Sequence, residues 1–368
     1  MKVVALRLRG CAGRLERALT SSQHAWLERR GLLLEIEDER GYIGLGEASP
    51  LPCYSPDDEA GCRGVLESLG RRWPRQWPED PALALAALRR LTPGMSDTPA
   101  ARCAAETALL DLIGHRLGMP LWQLLAQAAG LPMAPTRLAL AALIHAGDIE
   151  EMDRELGAVM AQGYGSVKIK VGGVALEHDQ RRITRVLERL GAHGRLRLDA
   201  NRAWPPSVAR QALAGLGDPR IEYVEEPVAR GRWAELGSVP VVLAADETLQ
   251  GRSACVSLTE LRSLGVGVIV VKPMALGLLG SLDLALQARR MGMAIVVSHL
   301  LDGPVGWAAS ISLALALGAD GTAHGLAPHA GLTAWPASRP LAVQGCELLA
   351  TAAPGLGLDD TDALRPSS

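Results

Sequence analysis

The sequence predicts an α/β chain in which a TIM-like (β/α) barrel follows a smaller α+β domain. Three observations carry that prediction. From about Thr136, short apolar strand segments alternate with amphipathic helical stretches through eight steps. Charged residues recur at the carboxyl ends of consecutive strand segments, about one βα unit apart. No GxGxxG follows the first strand, which counts against an open dinucleotide-binding sheet.

The amino-terminal part reads as strands and hairpins. "VVALRLRG" is followed by "GLLLEIEDERGYIGLGEAS", in which "DERG" supplies turn residues between two alternating segments. Helices come next. Ser55-Pro56 and Thr98-Pro99 each set a capping hydroxyl before a proline at the first helical position. The second helix runs through "AARCAAETALLDLIGHRL" and stops at Gly118 and Pro120. The barrel strands read "LALAALI", "SVKIKV", "LRLDA", "IEYVEE", "VVLAADE", "VGVIVVK", "AIVVSHL" and, weakly, "TAHGLA". Between them lie helices such as "ALEHDQRRITRVLERLG", with Ile183, Val186, Leu187 and Leu190 at helical spacing. After about Ser338 the barrel rhythm is lost. The expected organisation is a domain over residues 1–130, a barrel over 131–337, and a segment over 338–368 that packs back on the first domain.

A net charge of −2 over 368 residues, without a basic patch interleaved with aromatics, gives no electrostatic footprint for nucleic acid. The expected partner is a small molecule. Cysteines at 11, 53, 62, 103, 255 and 346 form no CxxC pair and suit neither zinc nor a disulfide framework. "MKVVALRLRG" is too short and too charged for a signal peptide, and no apolar run reaches the length of a membrane span. A soluble, cytoplasmic protein is expected.

The charged strand ends hold the chemistry. Lys168 and Lys170 end the second barrel strand, Asp199 the third, Glu225 and Glu226 the fourth, Asp246 and Glu247 the fifth, and Lys272 the sixth. From Lys170 through Asp199, Glu225 and Asp246 to Lys272 the steps are 29, 26, 21 and 26 residues. In a barrel such ends share the face on which active sites are built. Carboxylates without histidine or cysteine are hard oxygen donors suited to Mg²⁺ or Mn²⁺, and a cation is the natural reason to crowd them. Alternation puts Lys168 and Lys170 on one face, and crowding them is expected to lower the pKa of the pair, so that one can act as a base. A metal beside a lysine base points to removal of a proton alpha to a carboxylate.

At these residues the sequence resembles the enolase superfamily, in particular its muconate-cycloisomerase-like subgroup. The resemblance spans nearly the whole chain: "GLGEASPLPCYSPDD", "ETALLDLIGHRLGMPLWQLL", "KIK", "LDANRAW", "VEEPV", "ADET" and "VVKP". It implies a (β/α)₇β barrel under an α+β capping domain. It further implies Asp199, Glu225 and Asp246 as Mg²⁺ ligands, Lys170 as the proton-abstracting base, Lys168 as its partner, and Lys272 as the lysine of the opposite face. Within the subgroup, "RRGLLLEIEDERGYIGLGEASPLPCYSPDD" and "DANRAW" most resemble the o-succinylbenzoate synthases. These dehydrate 2-succinyl-6-hydroxy-2,4-cyclohexadiene-1-carboxylate through an enediolate on the route to menaquinone or phylloquinone. The resemblance also implies that the "GEASPLPCYSPDD" loop and the loop near Thr20 to His24 close over substrate.

N-succinylamino acid racemase shares the lysines and ligands and is the alternative activity; a non-catalytic binding protein on the same fold is a third reading. Dipeptide epimerases carry an Asp-x-Asp near the eighth strand, whereas "TAHGLAPHAGL" has no acid. A mandelate-racemase-like histidine base at His299 lacks its strand-six aspartate, because that strand ends in Lys272. After that lysine "KPMALGLLG" departs from the usual Gly-Gly and leaves the loop shape open. One acid of each pair, "EE" and "DE", reads as structural, and the choice of Glu225 over Glu226 as ligand is what the resemblance implies. Arg197 and Asn201 share the face of Asp199, Arg197 as a counter-charge below the ligand or a structural ion pair. Ser298 and His299 stand where strand seven opens into the mouth, as substrate contacts or as packed, hydrogen-bonded residues. Met274 and Trp204 read as wall or core.

Overall fold

Alternating leucines and charges lay down a three-stranded antiparallel sheet first. Strand β1 (Val3–Thr20) pairs with β2 (Ala25–Asp38), and β2 with β3 (Ile43–Ala48). The computed structural model describes residues 1–20, 25–132, 137–251, 257–318, 320–329, 331–332, 335 and 338–359. The expected loop at Thr20 to His24 therefore lies, beyond Thr20, outside the described residues. Helices α1 (Glu59–Arg72), α2 (Pro81–Leu91), α3 (Pro99–Leu117) and α4 (Leu121–Ala128) follow the sheet. Glycine explains how closely α3 lies on β3. A β-carbon at Gly44 or Gly46 would come within 2.1 Å of Ala108 O or 2.0 Å of Ala104 O.

Two helix starts differ from expectation. The helix expected at Ser55-Pro56 begins at Glu59, because Asp58 accepts the Gly61 N–H at 2.7 Å. Ser55 Oγ instead accepts the Leu51 N–H at 2.8 Å and closes the preceding loop. Helix α3 does begin at Pro99, but the Thr98 hydroxyl makes no capping bond. Asp57 reaches in to accept the Ala100 N–H at 2.8 Å. The helix ends as expected, with Gly118 left-handed at φ 62°.

The run "LALAALI" serves two sheets. Its first part, β4 (Arg137–Ala139), pairs with the carboxyl-terminal hairpin, and its second, β5 (Ala141–Ile144), opens the barrel. The barrel continues through α5 (Ile149–Ala161), β6 (Ser166–Lys170), α6 (Leu176–Leu190), β7 (Arg195–Asp199), α7 (Pro206–Ala214), β8 (Ile221–Glu225) and β9 (Leu243–Ala245). It is completed by α8 (Leu258–Ser263), β10 (Val266–Val271), α9 (Pro273–Leu276), α10 (Leu278–Arg290), β11 (Ala294–Val297) and α11 (Pro304–Leu317). Between β8 and β9 the helix shrinks to a 3₁₀ turn, Trp233–Leu236. Strands β5 to β11 form one parallel sheet in sequence order, curled with its helices outside. The weak eighth strand reduces to bridges: Leu140 meets His324, and Ser298 meets Gly325, closing the ring.

The last strands, β12 (Val343–Gln344) and β13 (Glu347–Leu349), form the hairpin that pairs with β4. Beyond it, the Leu121 N–H donates to Gly355 O at 2.7 Å, and the Leu356 N–H to Asp111 Oδ1 at 2.7 Å, fastening the tail to α3 and α4. Among the described residues no helix is long and apolar enough to cross a membrane. Cys11, Cys53, Cys62, Cys103 and Cys346 are all free thiols; Cys255 lies outside the described residues.

Candidate active site

Parallel pairing sets Lys170 beside Asp199 and Asp199 beside Glu225, so the charged strand ends form one arc. They open into a cavity of about 350 Å³ whose wall includes Lys168, Lys170, Arg197, Asp199, Asn201, Glu225, Glu247, Lys272, Ser298 and His299. Of the residues expected in the site, Asp246 alone is set back from this surface. It is 1 % exposed and accepts bonds from Lys272 Nζ, from the Tyr54 hydroxyl at 2.8 Å and from Gln250 Nε2 at 3.2 Å.

The two β6 lysines have different surroundings. Lys168 Nζ lies 2.9 Å from Asp199 Oδ2 and 2.7 Å from Glu225 Oε2. Burial works against its charge, but Asp199 and Glu225 outweigh burial and hold its pKa well above the ordinary lysine value. The expectation that crowding lowers both lysines is therefore corrected for Lys168. Lys170 makes no ion pair among the described residues, and its pKa is lowered, first by burial and also by the like charges of Lys168 and Lys272. The backbone below it is pinned: Arg182 donates to Lys170 O at 2.8 Å and to Ala146 O at 3.2 Å.

Strands β6 and β10 lie four places apart around a ring of eight, so Lys272 faces Lys170 across the cavity. It is ion-paired with Asp246 and donates to the Tyr54 hydroxyl at 2.8 Å, 5.0 Å from the centre of that ring. Burial opposes its charge, yet Asp246 and Glu225 raise its pKa. The loop after Lys272, left open by the missing Gly-Gly, is the short helix α9. Its buried Met274 accepts the Ser49 N–H through sulfur at 3.2 Å. Trp204 is buried against Gly172, as core rather than cavity wall.

Among the acids, burial and then Asp199 push Glu225 up to about 8, and its Oε1 is buried without a hydrogen-bond partner. Asp199 is held below the usual carboxylate value, since Lys168, Lys170 and Lys272 overcome burial. Glu226 turns away to accept the N–H groups of Asp246 at 2.8 Å and Thr248 at 2.7 Å, the structural part expected of one member of that pair. Glu247 accepts from Asn201 Nδ2 at 3.1 Å, and burial followed by Asp246 raises it to about 8. Asn201 also donates its N–H to Asp199 at 3.0 Å. Among the described residues no three His, Cys, Asp or Glu side chains stand as a ready-made metal cage. One oxygen each of Asp199, Glu225 and Asp246 is turned to a lysine.

Deeper in the barrel, Arg197 is 1 % exposed, donates to Glu222 at 2.5 Å and lies 5.1 Å from the centre of the Tyr223 ring. It is an ion pair that also floors the cavity. Ser298 Oγ donates to Gly325 O at 3.1 Å. His299 is held on several sides: Nδ1 accepts the Leu301 N–H at 3.1 Å, the ring also bonds the Ala327 backbone, and it stacks on His329 at 4.2 Å. Burial, then Lys272, lowers its pKa to about 3, so it stays neutral. Sequence reasoning marked the loop of Tyr54 but not the residue. The signal was present in the aromatic that follows "PLPC" in a proline-stiffened loop.

A profile of the enolase C-terminal domain-like family matches residues 151–363. An o-succinylbenzoate synthase from Desulfotalea psychrophila is 28% identical over 324 residues, covering 80% of this chain and 83% of the relative. A hydrophobic dipeptide epimerase from Enterococcus faecalis is 27% identical over 281 residues, covering 75% and 76%. Among solved structures, the dipeptide epimerase from Methylococcus capsulatus complexed with Mg and L-Arg-D-Lys superposes with a TM-score of 0.80. It is 25% identical, over 97% of this chain and 99% of that one.

Proposed function

The chain belongs to the enolase C-terminal domain-like family of the enolase superfamily, and from that premise we propose that it is a Mg²⁺-dependent carbon–oxygen lyase of the o-succinylbenzoate synthase kind. One observation carries the reading: two lysines face each other across one cavity, Lys170 without an acid partner and Lys272 tied to an acid. The first is fitted to take a proton, the second to remain a charge.

The acids suit the metal. Asp199, Glu225 and Asp246 are hard oxygen donors, Glu225 Oε1 is buried and unpartnered, and the mutual repulsion that raises Glu225 is what a divalent cation relieves. Asp199, Glu225 and Asp246 would hold Mg²⁺, which would supply Lewis-acid stabilisation of negative charge on the substrate carboxylate. The chain does the rest. Lys170 Nζ removes the proton alpha to the carboxylate of 2-succinyl-6-hydroxy-2,4-cyclohexadiene-1-carboxylate. The same amine returns that proton to the hydroxyl leaving the neighbouring carbon, so water departs and the ring becomes aromatic. Lys272 stabilises the developing charge from the other face, and Lys168 contributes the like charge that helps keep Lys170 neutral.

Two features favour this chemistry over other activities of the family. The described cavity wall at the eighth strand consists of Gly325, Ala327, Pro328 and His329, with no carboxylate to hold a dipeptide's ammonium group. His299 is bonded to the Leu301 and Ala327 backbone and kept neutral by burial, which disfavours it as a second base. Racemisation of N-succinylamino acids is the second reading, favoured by lysines on opposite faces. Binding without catalysis, the third, gives no reason for an unpaired amine half-buried in the cavity wall.

The deciding assay follows loss of ultraviolet absorbance as the cyclohexadiene substrate aromatises, with wild type and Lys170→Ala, in Mg²⁺ and in EDTA. Turnover that disappears with the lysine or the metal is expected. No turnover from folded, Mg²⁺-loaded wild type overturns the proposal. Lys272→Ala separates the racemase reading: a racemase loses proton exchange from one enantiomer, while a synthase loses dehydration without such a bias.

A further inference from the structure

Away from the lysines and acids, one buried cation joins two walls of the cavity. Arg29, on cap strand β2, is 0 % exposed. Its Nε donates to Leu301 O at 2.9 Å, Nη2 to Ser49 O at 2.8 Å and Nη1 to Pro50 O at 3.3 Å. The last two carbonyls begin the cap loop that brings Leu51, Cys53 and Tyr54 to the cavity. The first belongs to the barrel loop that brings Ser298, His299 and Leu300. Both loops are also tied through Glu47, which accepts from Ser49 Oγ and from the N–H groups of Gly303 and Gly306 at 2.5, 2.6 and 2.9 Å.

A guanidinium is suited to this task because its fixed planar fork reaches several acceptors at once, which a lysine ammonium on a flexible stem does not reproduce. Leu301 sits at φ 59°, a left-handed conformation that a leucine adopts only when its surroundings enforce it. Its carbonyl is held by Arg29, and its N–H by His299. Arg29 touches neither the lysines nor the acids.

We propose that Arg29 is a positioning residue that locks the cap loop 49–56 to the barrel loop 298–303 and thereby sets the shape of the substrate-binding mouth. Its role in substrate binding rests on the reading of this cavity as the substrate site; the coupling of the two loops does not. Loss of the fork frees both loops together. Substrate affinity then suffers more than the chemical step, because the ion pairs of Lys168 and Lys272 with the acids do not run through Arg29, and only the Tyr54 hydroxyl's bonds to Lys272 and Asp246 loosen with the cap loop.

The test is hydrogen exchange followed by mass spectrometry on the full chain, wild type against Arg29→Lys and Arg29→Met. Amides in 49–56 and in 298–303 are expected to exchange about tenfold faster together, with α3 and the barrel strands unchanged. Acceleration of one loop only, of neither, or of all amides by one common factor overturns the proposal. Should the variants not fold, wild type in sub-denaturing urea gives the answer: both loops must open with the same urea dependence, and separate openings overturn the coupling. In steady-state assays Arg29→Lys is expected to raise KM about tenfold, with any fall in kcat smaller than the rise in KM. A fall in kcat at unchanged KM overturns the binding role. The exchange results stand whichever substrate the enzyme turns over.

Discussion

The β6 and β10 walls of the cavity present the same functional group with its pKa shifted in opposite directions. On β6, Lys170 is half-buried, makes no ion pair among the described residues, and has its pKa lowered. On β10, Lys272 is more fully buried but carries Asp246 and the Tyr54 hydroxyl, and its pKa is raised. Burial acts alike on both; partners decide the sign. Lys168 repeats the lesson within one strand, since it lies two residues from Lys170 on the same face yet spans Asp199 and Glu225. A barrel mouth can thus lower the pKa of one lysine and raise that of another by choosing which strand ends bring acids within reach.

The contrast breaks most directly at Lys170. Lys170→Ala is expected to lower kcat by about 10³-fold or more with folding intact, as loss of a general base does. Residual activity within about tenfold of wild type would mean that the unpaired amine is not the base. Next comes the pH profile. A base works when unprotonated, so kcat/KM should rise with pH through a pKa below the ordinary lysine range. Removing the neighbouring charge in Lys168→Met should move that limb to higher pH, with each unit of displacement worth about tenfold in rate on the rising side. A limb that stays in place would show that burial alone tunes Lys170.

Smaller effects test the other wall. Tyr54→Phe removes a hydroxyl that bonds both Lys272 and Asp246, and about 1 to 2 kcal/mol, or roughly tenfold in kcat, is expected to go with it. An unchanged rate would detach the cap from the β10 wall. The least effect is expected from His299→Asn, within about tenfold in kcat/KM, because the ring is spent on Leu301 and Ala327. A collapse by 10³-fold would make histidine, rather than either lysine, the second acid–base group.

The barrel and its charged arc were legible because strand alternation and βα spacing are local properties that survive folding. What was not legible depends on distance in the chain. Lys168 is raised by acids 31 and 57 residues away on neighbouring strands, so its sequence neighbour Lys170 was a poor guide to its charge. Tyr54 reaches Asp246 across 192 residues, and Arg29 reaches Leu301 across 272. No periodicity encodes such pairs. Ser55 misled for a local reason: its hydroxyl had a nearer backbone donor than the helix it was expected to cap. The eighth strand was weak in the sequence and is correspondingly short in the barrel, because "TAHGLA" has too few β-branched residues to sustain a ladder.

That short closure makes the barrel sensitive to acid. At the seam the Val297 N–H finds its acceptor in the side chain of His324, whose Nδ1 lies 3.1 Å away. Burial lowers the pKa of this imidazole from 6.5 to about 4, so the folded chain keeps it neutral over a range in which the unfolded chain binds a proton. Its contribution to stability is complete above about pH 6.5 and is lost progressively as pH falls to about 4. On acidification the staves should part between the seventh and first strands, where one imidazole completes a hoop that the backbone leaves short.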